Sequence, residues 1–366
     1  MSRRHGNWFK SRLAIASLLA CFAFHGLPLA IAADKLERFE FVQIRMGIPV
    51  RIVVYADQQT TAIQASDAAF ERIRKIDRTL SDYDPDSEVR KLTTAPVGKP
   101  VLISDDLFTV ATAAQQLSHQ SQGAFDITVG PIVKLWRVAR RKHVLPDEHL
   151  LKESLQHVGS QFLELDAHHR TITFNRPGMQ LDFGGIAKGY AADEAYRVLK
   201  AHNLSCALVA AAGDIRVGDP PPGTAGWRVE VEERIKPPGP ERKPVILTLS
   251  NCGISTSGDT YQYLEIDGVR YSHIVDPKTG LGITTPGSVT VLAPTAMQAD
   301  GLASTVSILG PEHGLELIRE SPQTEALIVR LEQDGTRSVN RSAHWPVSPN
   351  SPPGNHKSSG QNGQQN

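Results

Sequence analysis

Apolar residues along this chain change period several times, and each change marks an element. In residues 35–56 the stretches FEFVQIRM and IPVRIVVYA alternate, which predicts two strands broken at Met46-Gly47. From 60 to 80 the spacing lengthens: Phe70, Ile73, Ile76 and Leu80 share one stripe, as on a helix. SDYDPDSEV reads as a turn-rich connection opening a short helix, and Asp105 to Gln120 as a second amphipathic helix ending before Gly123. GAFDITVGPIVKLW (123–136) reads as a loop and FLELDAHHRTITFN (162–175) as a hairpin. LDFGGIAKGY then leads into a helix expected from about 186 to 202. CALVAAAGDIRVG and GWRVEVEE predict strands, and PPGPERKP a loop. The stretch from Val245 to Pro277 predicts several strands and turns. SVTVLAPT is a further strand, 296–309 a helix, and ALIVRLEQDGTRSV a closing hairpin. Strands and helices mix without strict alternation. The expected class is therefore α+β, with mixed, largely antiparallel sheets and packed helices, rather than a doubly wound parallel sheet.

The amino-terminal stretch breaks this pattern. Arg3, Arg4, Lys10 and Arg12 precede an apolar run from Leu13 to Leu29, and Ala30-Ile31-Ala32 supplies a small-x-small cleavage pattern. This predicts a secretory signal peptide over 1–32 and an exported, periplasmic protein. An uncleaved membrane anchor and a lipid anchor at Cys21 are the alternatives, and Arg3-Arg4 hints at twin-arginine export. Cleavage removes four of the 39 basic residues and no acidic ones, leaving 35 against 39, a net of −4. Nothing in that balance points to nucleic acid. Cys206 and Cys252 would remain, either paired or as free thiols. From about Ser342 the tail (342–366) is rich in Ser, Pro, Gly, Gln and Asn, and is expected to be disordered.

Three segments carry candidate chemistry. GGIAKG matches neither Gly-rich nucleotide fingerprint, yet it places glycine backbone, a helix start and Lys188 together, as an anion site requires. In MQADGLASTVS, Asp300 and Ser304 stand at i and i+4 and share a helix face, a pair of hard oxygen donors of the kind Mg²⁺ prefers. In YSHIVDPKTG, His273 stands before the turn Asp276-Pro277, where it could serve as a general base. A strand-to-helix turn with Lys188 in solvent, a polar helix stripe and a structural histidine are the corresponding plain readings.

The order of these segments resembles the FAD:protein FMN transferase family, also called ApbE. The likeness runs from about 40 to 330, through MGIPVRIVVYA, IDRTLSDYDPDSEVRKL, GAFDITVGPIV, LDFGGIAKGYAADEA, GDIRVG, STSGDTY, YSHIVDPKTG and SVTVLAPTAMQADGLAST. It implies one T-fold-like domain over 33–341, with an FAD cleft between two lobes. It implies Mg²⁺-dependent transfer of the FMN half of FAD onto a threonine or serine of a target protein, with release of AMP. The implied partners are FAD and exported flavin-acceptor domains of membrane redox proteins, with membrane association as an option. By position, the resemblance assigns Met46, Tyr83, Ala124, Phe125, Asp126, Asp182, Lys188 and Ile274 to flavin contacts. It assigns Gly185, Asp300 and Ser304 to the metal and His273 to the base. An FAD pyrophosphatase and a non-enzymatic flavin-binding assembly protein are the alternatives. Two departures stand out: Ala212 where the family carries the first of two glycines, and Thr93 for a frequent asparagine.

Overall fold

The structure is a computed structural model that describes residues 36–231, 245–258, 263–332 and 334–346. The expected signal peptide, the PPGPERKP loop and residues 347–366 lie outside the described residues. Strands β1 (Glu37–Arg45) and β2 (Ile48–Ala56) open the chain, followed by helices α1 (Gln59–Leu80) and α2 (Glu88–Lys91). Strand β3 (Val101–Leu102), helices α3 (Asp105–Gln120), α4 (Gly130–Lys142) and α5 (Glu148–Leu155), and strands β4 (Leu163–Asp166) and β5 (Thr171–Phe174) come next. Helix α6 (Ala187–Ala201) leads to β6 (Ala207–Ala211), β7 (Asp214–Val217), β8 (Trp227–Val231), β9 (Val245–Leu249) and β10 (Cys252–Gly258). The chain closes with β11 (Tyr263–Ile266), β12 (Val269–Ser272), β13 (Gly287–Ala293), α7 (Ala296–Glu320), β14 (Glu325–Leu331) and β15 (Arg337–Arg341).

Eight strands form the main sheet in the order β1-β2-β6-β7-β10-β13-β14-β15, every pair antiparallel. Its two faces follow from the period of two along each strand. Val50, Ile52, Val54 and Ala56 of β2 enter one apolar cluster with Phe70 and Ile73 of α1, Ala191 and Ala195 of α6, and Ala299 and Val306 of α7. Val53, Leu208 and Val217 enter a second cluster with Trp227, Val229 and Leu247 of the β8–β9 ribbon. The sheet is thus covered by helices on one face and by a two-stranded ribbon on part of the other. Among the described residues no helix is long and apolar enough to cross a membrane.

Four places differ from the sequence reading. Gly130-Pro131 looks like a break but starts α4: proline at the first turn costs no hydrogen bond, and Ile132, Trp136 and Ala139 are buried beneath it. Gly130 also lies against the Gln180 carbonyl, where a methyl would sit 2.6 Å from the oxygen. The helix predicted to end at 309 does break there, since Gly310 has φ 79° and ψ −176°, but a second segment continues from Pro311 to Glu320. Helix α5 had no clear sequence signal. The tail packs beyond 342: Ser342 donates its amide to Ala326, and Trp345 is buried. Cys206 and Cys252 are both free thiols.

Candidate functional site

The start of α6 meets the start of α7. Gly189 lies against the backbone of Ala296, and Gly253 of β10 packs on the same residue from the other side; neither leaves room for a Cβ. The exposed amides of α7 find acceptors at once. Asp193 Oδ1 and Oδ2 accept from the Ala296 and Met297 N–H groups at 2.9 and 2.8 Å, and Thr295 Oγ1 accepts from Gln298 at 3.2 Å. Three of the four amino-terminal amides are therefore satisfied, two of them by a carboxylate from the neighbouring helix, which also suits the helix dipole. Burial lifts the Asp193 pKa to about 6, against those two amides and Arg216, which lower it.

This seam brings the polar residues together. Lys188 Nζ donates to Asp214 Oδ2 at 2.5 Å and lies 3.4 Å from Asp300 Oδ1. Gly189 N–H donates to Asp300 Oδ2 at 3.0 Å. The Asp214 and Asp300 side chains are 4% and 2% exposed, so one ammonium balances two buried carboxylates. Burial and the nearby Asp214 raise Asp300 to about 7, despite Lys188 and the Gly189 amide. The same two carboxylates overcome the burial of Lys188 and hold its pKa above the ordinary lysine value. Lys188 is thus neither in open solvent nor free for a phosphate alone. Asp214, which sequence reasoning left without a role, is its nearest partner.

Strand β10 supplies the next layer by alternation. Ser255 Oγ donates to Asp214 Oδ1 at 2.5 Å, and Ser257 Oγ lies 3.4 Å from Ser304 Oγ. Ser304 Oγ lies 3.1 Å from the point where a Cβ on Gly185 would stand, and Phe125 Cε2 lies 3.3 Å from it. The glycine turn, Asp300, Ser304 and Lys188 therefore form one cluster. Among the described residues no group of three or more His, Cys, Asp or Glu side chains gathers as a metal cage. What gathers is oxygen: a buried carboxylate that shares its ammonium with Asp214, a hydroxyl and a glycine backbone. That donor set suits a hard divalent cation that completes its shell with water or substrate phosphate.

Of the predicted flavin residues, Phe125 and Asp182 touch the glycine turn, and the others stand in several elements. Met46 occupies the β1–β2 turn with φ 51°, half-buried against the core. Ala124, Phe125 and Asp126 are buried; Asp126 accepts from the Thr128 amide and hydroxyl and the Ser160 amide, so it organises its own loop. Asp182 Oδ1 accepts from Gly184 N–H at 2.8 Å and its Oδ2 from Arg137 at 2.9 Å. Burial, then Asp82, raises the Asp182 pKa. Tyr83 is 74% exposed.

His273 and Ile274 are half-buried just after β12. The turn that follows them packs on α4 and the loop before it: Lys278 lies over Gly123, and Trp136 Nε1 donates to the Gly280 carbonyl at 2.7 Å. Ser272 and Ile274 also line a hollow of about 20 Å³ with Gly258, next to Ser257, and with Ser307, three positions beyond Ser304. A larger cleft of about 400 Å³ lies elsewhere, between β1, β2 and β8, and contains none of these residues. Asp214, Asp193 and Arg137 escaped the sequence reading because their partners lie 26, 103 and 45 positions away.

The chain's similarities place its fold and family. The model of the ApbE family matches residues 46–328. An FAD:protein FMN transferase of Treponema pallidum is 31% identical over 311 residues, 81% of this chain and 85% of that protein. One from Haemophilus influenzae is 31% identical over 84% of this chain and 90% of its own. Among solved structures, the flavin transferase ApbE of Vibrio cholerae superposes with a TM-score of 0.76 at 28% identity, covering 84% of this chain and 98% of that one. The apo flavinyl transferase ApbE of Pseudomonas stutzeri gives 0.74 at 28% identity, covering 84% and 95%.

Proposed function

The chain belongs to the ApbE family of flavin transferases, and from that premise we propose that it moves the FMN half of FAD onto a threonine or serine hydroxyl of an exported protein, releasing AMP. The observation that carries this reading is the cluster of Lys188, Asp214, Asp300, Ser304 and Gly185 at the α6–α7 seam.

The proposed chemistry uses residues of this chain. The Gly185 backbone, Asp300 and Ser304 would hold Mg²⁺, which when bound supplies positive charge for the diphosphate and for the leaving phosphate. Lys188, kept charged by its two carboxylates, stands beside that position and adds fixed positive potential in a partly dry site. The acceptor hydroxyl attacks the phosphorus of the FMN phosphate, and His273 takes the hydroxyl proton. The bond from that phosphorus to the bridging oxygen breaks, and AMP leaves with its electron pair. Base assistance of this kind contributes about 10² to 10⁴ in rate.

Incubation with FAD, Mg²⁺ and candidate acceptor domains tests the proposal. Flavin fluorescence that stays with the acceptor after denaturation, matched by AMP and lost in Asp300→Ala, supports transfer. Steady release of FMN and AMP without acceptor labelling would instead make the protein a pyrophosphatase.

A further inference from the structure

Helix α4 presents Trp136 and Arg137 in succession, and each grips a different wall of the site. Trp136 holds the turn after His273. The Arg137 guanidinium donates to Asp82 through one nitrogen and to Asp182 through another, and lies 4.0 Å from the centre of the Tyr83 ring. Its side chain is 18% exposed, whereas the ring it backs is largely in solvent. Burial would weaken its charge, but Asp82 and Asp182 more than restore it. Lys134 and Arg90 crowd the same place, and burial together with their mutual repulsion lowers the Lys134 pKa. A cation held this firmly under an exposed aromatic ring makes a stacking platform for a planar ligand.

Asp182 gives Arg137 its reach. The oxygen not bonded to Arg137 accepts from Gly184, and the next residue is Gly185. One guanidinium thus connects the Tyr83 ring, three residues beyond α1, to the turn that would face the diphosphate.

We propose that Arg137 is a positioning residue that fixes the Tyr83 ring at a set offset from the Asp182–Gly185 turn, so that the site accepts a ligand carrying both a planar flavin and a diphosphate. This inference rests on the flavin transferase reading. It assigns Arg137 no contact with the reacting atoms, so its effect falls on binding rather than on the chemical step.

The test measures equilibrium binding of FAD and of ADP, which lacks the flavin, together with KM and kcat. Tyr83→Leu alters an exposed side chain, and should weaken FAD about 10-fold, within the range stacking supplies, with little change for ADP. Arg137→Gln should weaken FAD by at least as much and raise KM, with kcat within about threefold of wild type. Arg137→Lys keeps the charge without the fork and should fall between. Because the ring is useless without its support, the double variant should be no weaker than Arg137→Gln alone. FAD affinity unchanged in Arg137→Gln, or factors that multiply fully in the double variant, overturn the inference. If Arg137→Gln does not fold, Asp82→Asn carries the test. A loss confined to FAD then supports the inference; no loss, or an equal loss for ADP, overturns it. Wild-type protein that binds no FAD would overturn the flavin reading, and this inference with it.

Discussion

Lys188→Met removes the one ammonium set between Asp214 and Asp300 while keeping most of the side-chain volume. Removing one partner of a buried ion pair costs about 3–5 kcal/mol, because the remaining charge is left in a poorly solvated place. Two facts set the expectation within that range. The carboxylates are 4% and 2% exposed, which favours the full cost, but the Lys188 side chain is 31% exposed and partly screened. A loss of about 3 kcal/mol is expected in urea denaturation without divalent cations. Mg²⁺ should then stabilise the variant more than wild type, since the ammonium 3.4 Å from Asp300 no longer competes for that carboxylate. At a 100-fold excess over Kd a bound ion contributes about 2.7 kcal/mol. The assay is urea unfolding of both proteins with and without Mg²⁺. A loss below about 1 kcal/mol, or equal Mg²⁺ stabilisation of the two proteins, would refute the picture of Lys188 as counterion of a metal-binding carboxylate.

Three more predictions follow from single residues. His273→Ala should still bind FAD but transfer FMN about 10²-fold or more slowly, and unimpaired labelling of an acceptor would remove His273 as the base. Ala212 holds φ 57° as the first residue of the two-residue β6–β7 loop, a place suited to glycine, so Ala212→Gly should stabilise the protein by about 0.5–1 kcal/mol in urea; a lower midpoint would contradict this. The Asp193 pKa, raised from 3.8 to about 6, means that the protonated form favours folding. Its contribution is complete below about 4 and is lost as pH rises through about 6, amounting to roughly 3 kcal/mol at most. The stability advantage of wild type over Asp193→Asn should therefore grow as pH falls from 7 to 4, and an advantage that shrinks would reverse the assignment.

Much of the fold is readable because the strongest patterns are local. The β1–β2 hairpin, α1, α3 and the β4–β5 hairpin follow from alternation, stripe spacing and turn residues, and Ser104 caps α3 where the pattern begins. Helix α4 is not legible, because Gly130-Pro131 is ambiguous without the Gln180 backbone it packs against. The second half of α7 is not legible either, because Gly310-Pro311 ends one segment and starts another without a gap. The same division holds at the site. The i, i+4 spacing puts Asp300 and Ser304 on one face of α7, and the glycine turn puts Lys188 at the start of α6; the structure brings the three together. That Lys188 is shared between Asp214 and Asp300, or that Asp193 caps α7, depends on contacts between distant segments, which no window of sequence contains. Ala212 shows the converse: the family resemblance marked the position as a departure, and the positive φ supplies the physical reason.

The central claim is that the α6–α7 seam binds a divalent ion together with the diphosphate of FAD. Crystals grown with FAD and Mn²⁺ in place of Mg²⁺ test it directly through anomalous scattering. The account predicts a metal peak about 2.0–2.3 Å from the Gly185 carbonyl and an Asp300 oxygen, with the diphosphate in its shell. A diphosphate bound with the metal elsewhere, or a peak remote from Asp300, would contradict it.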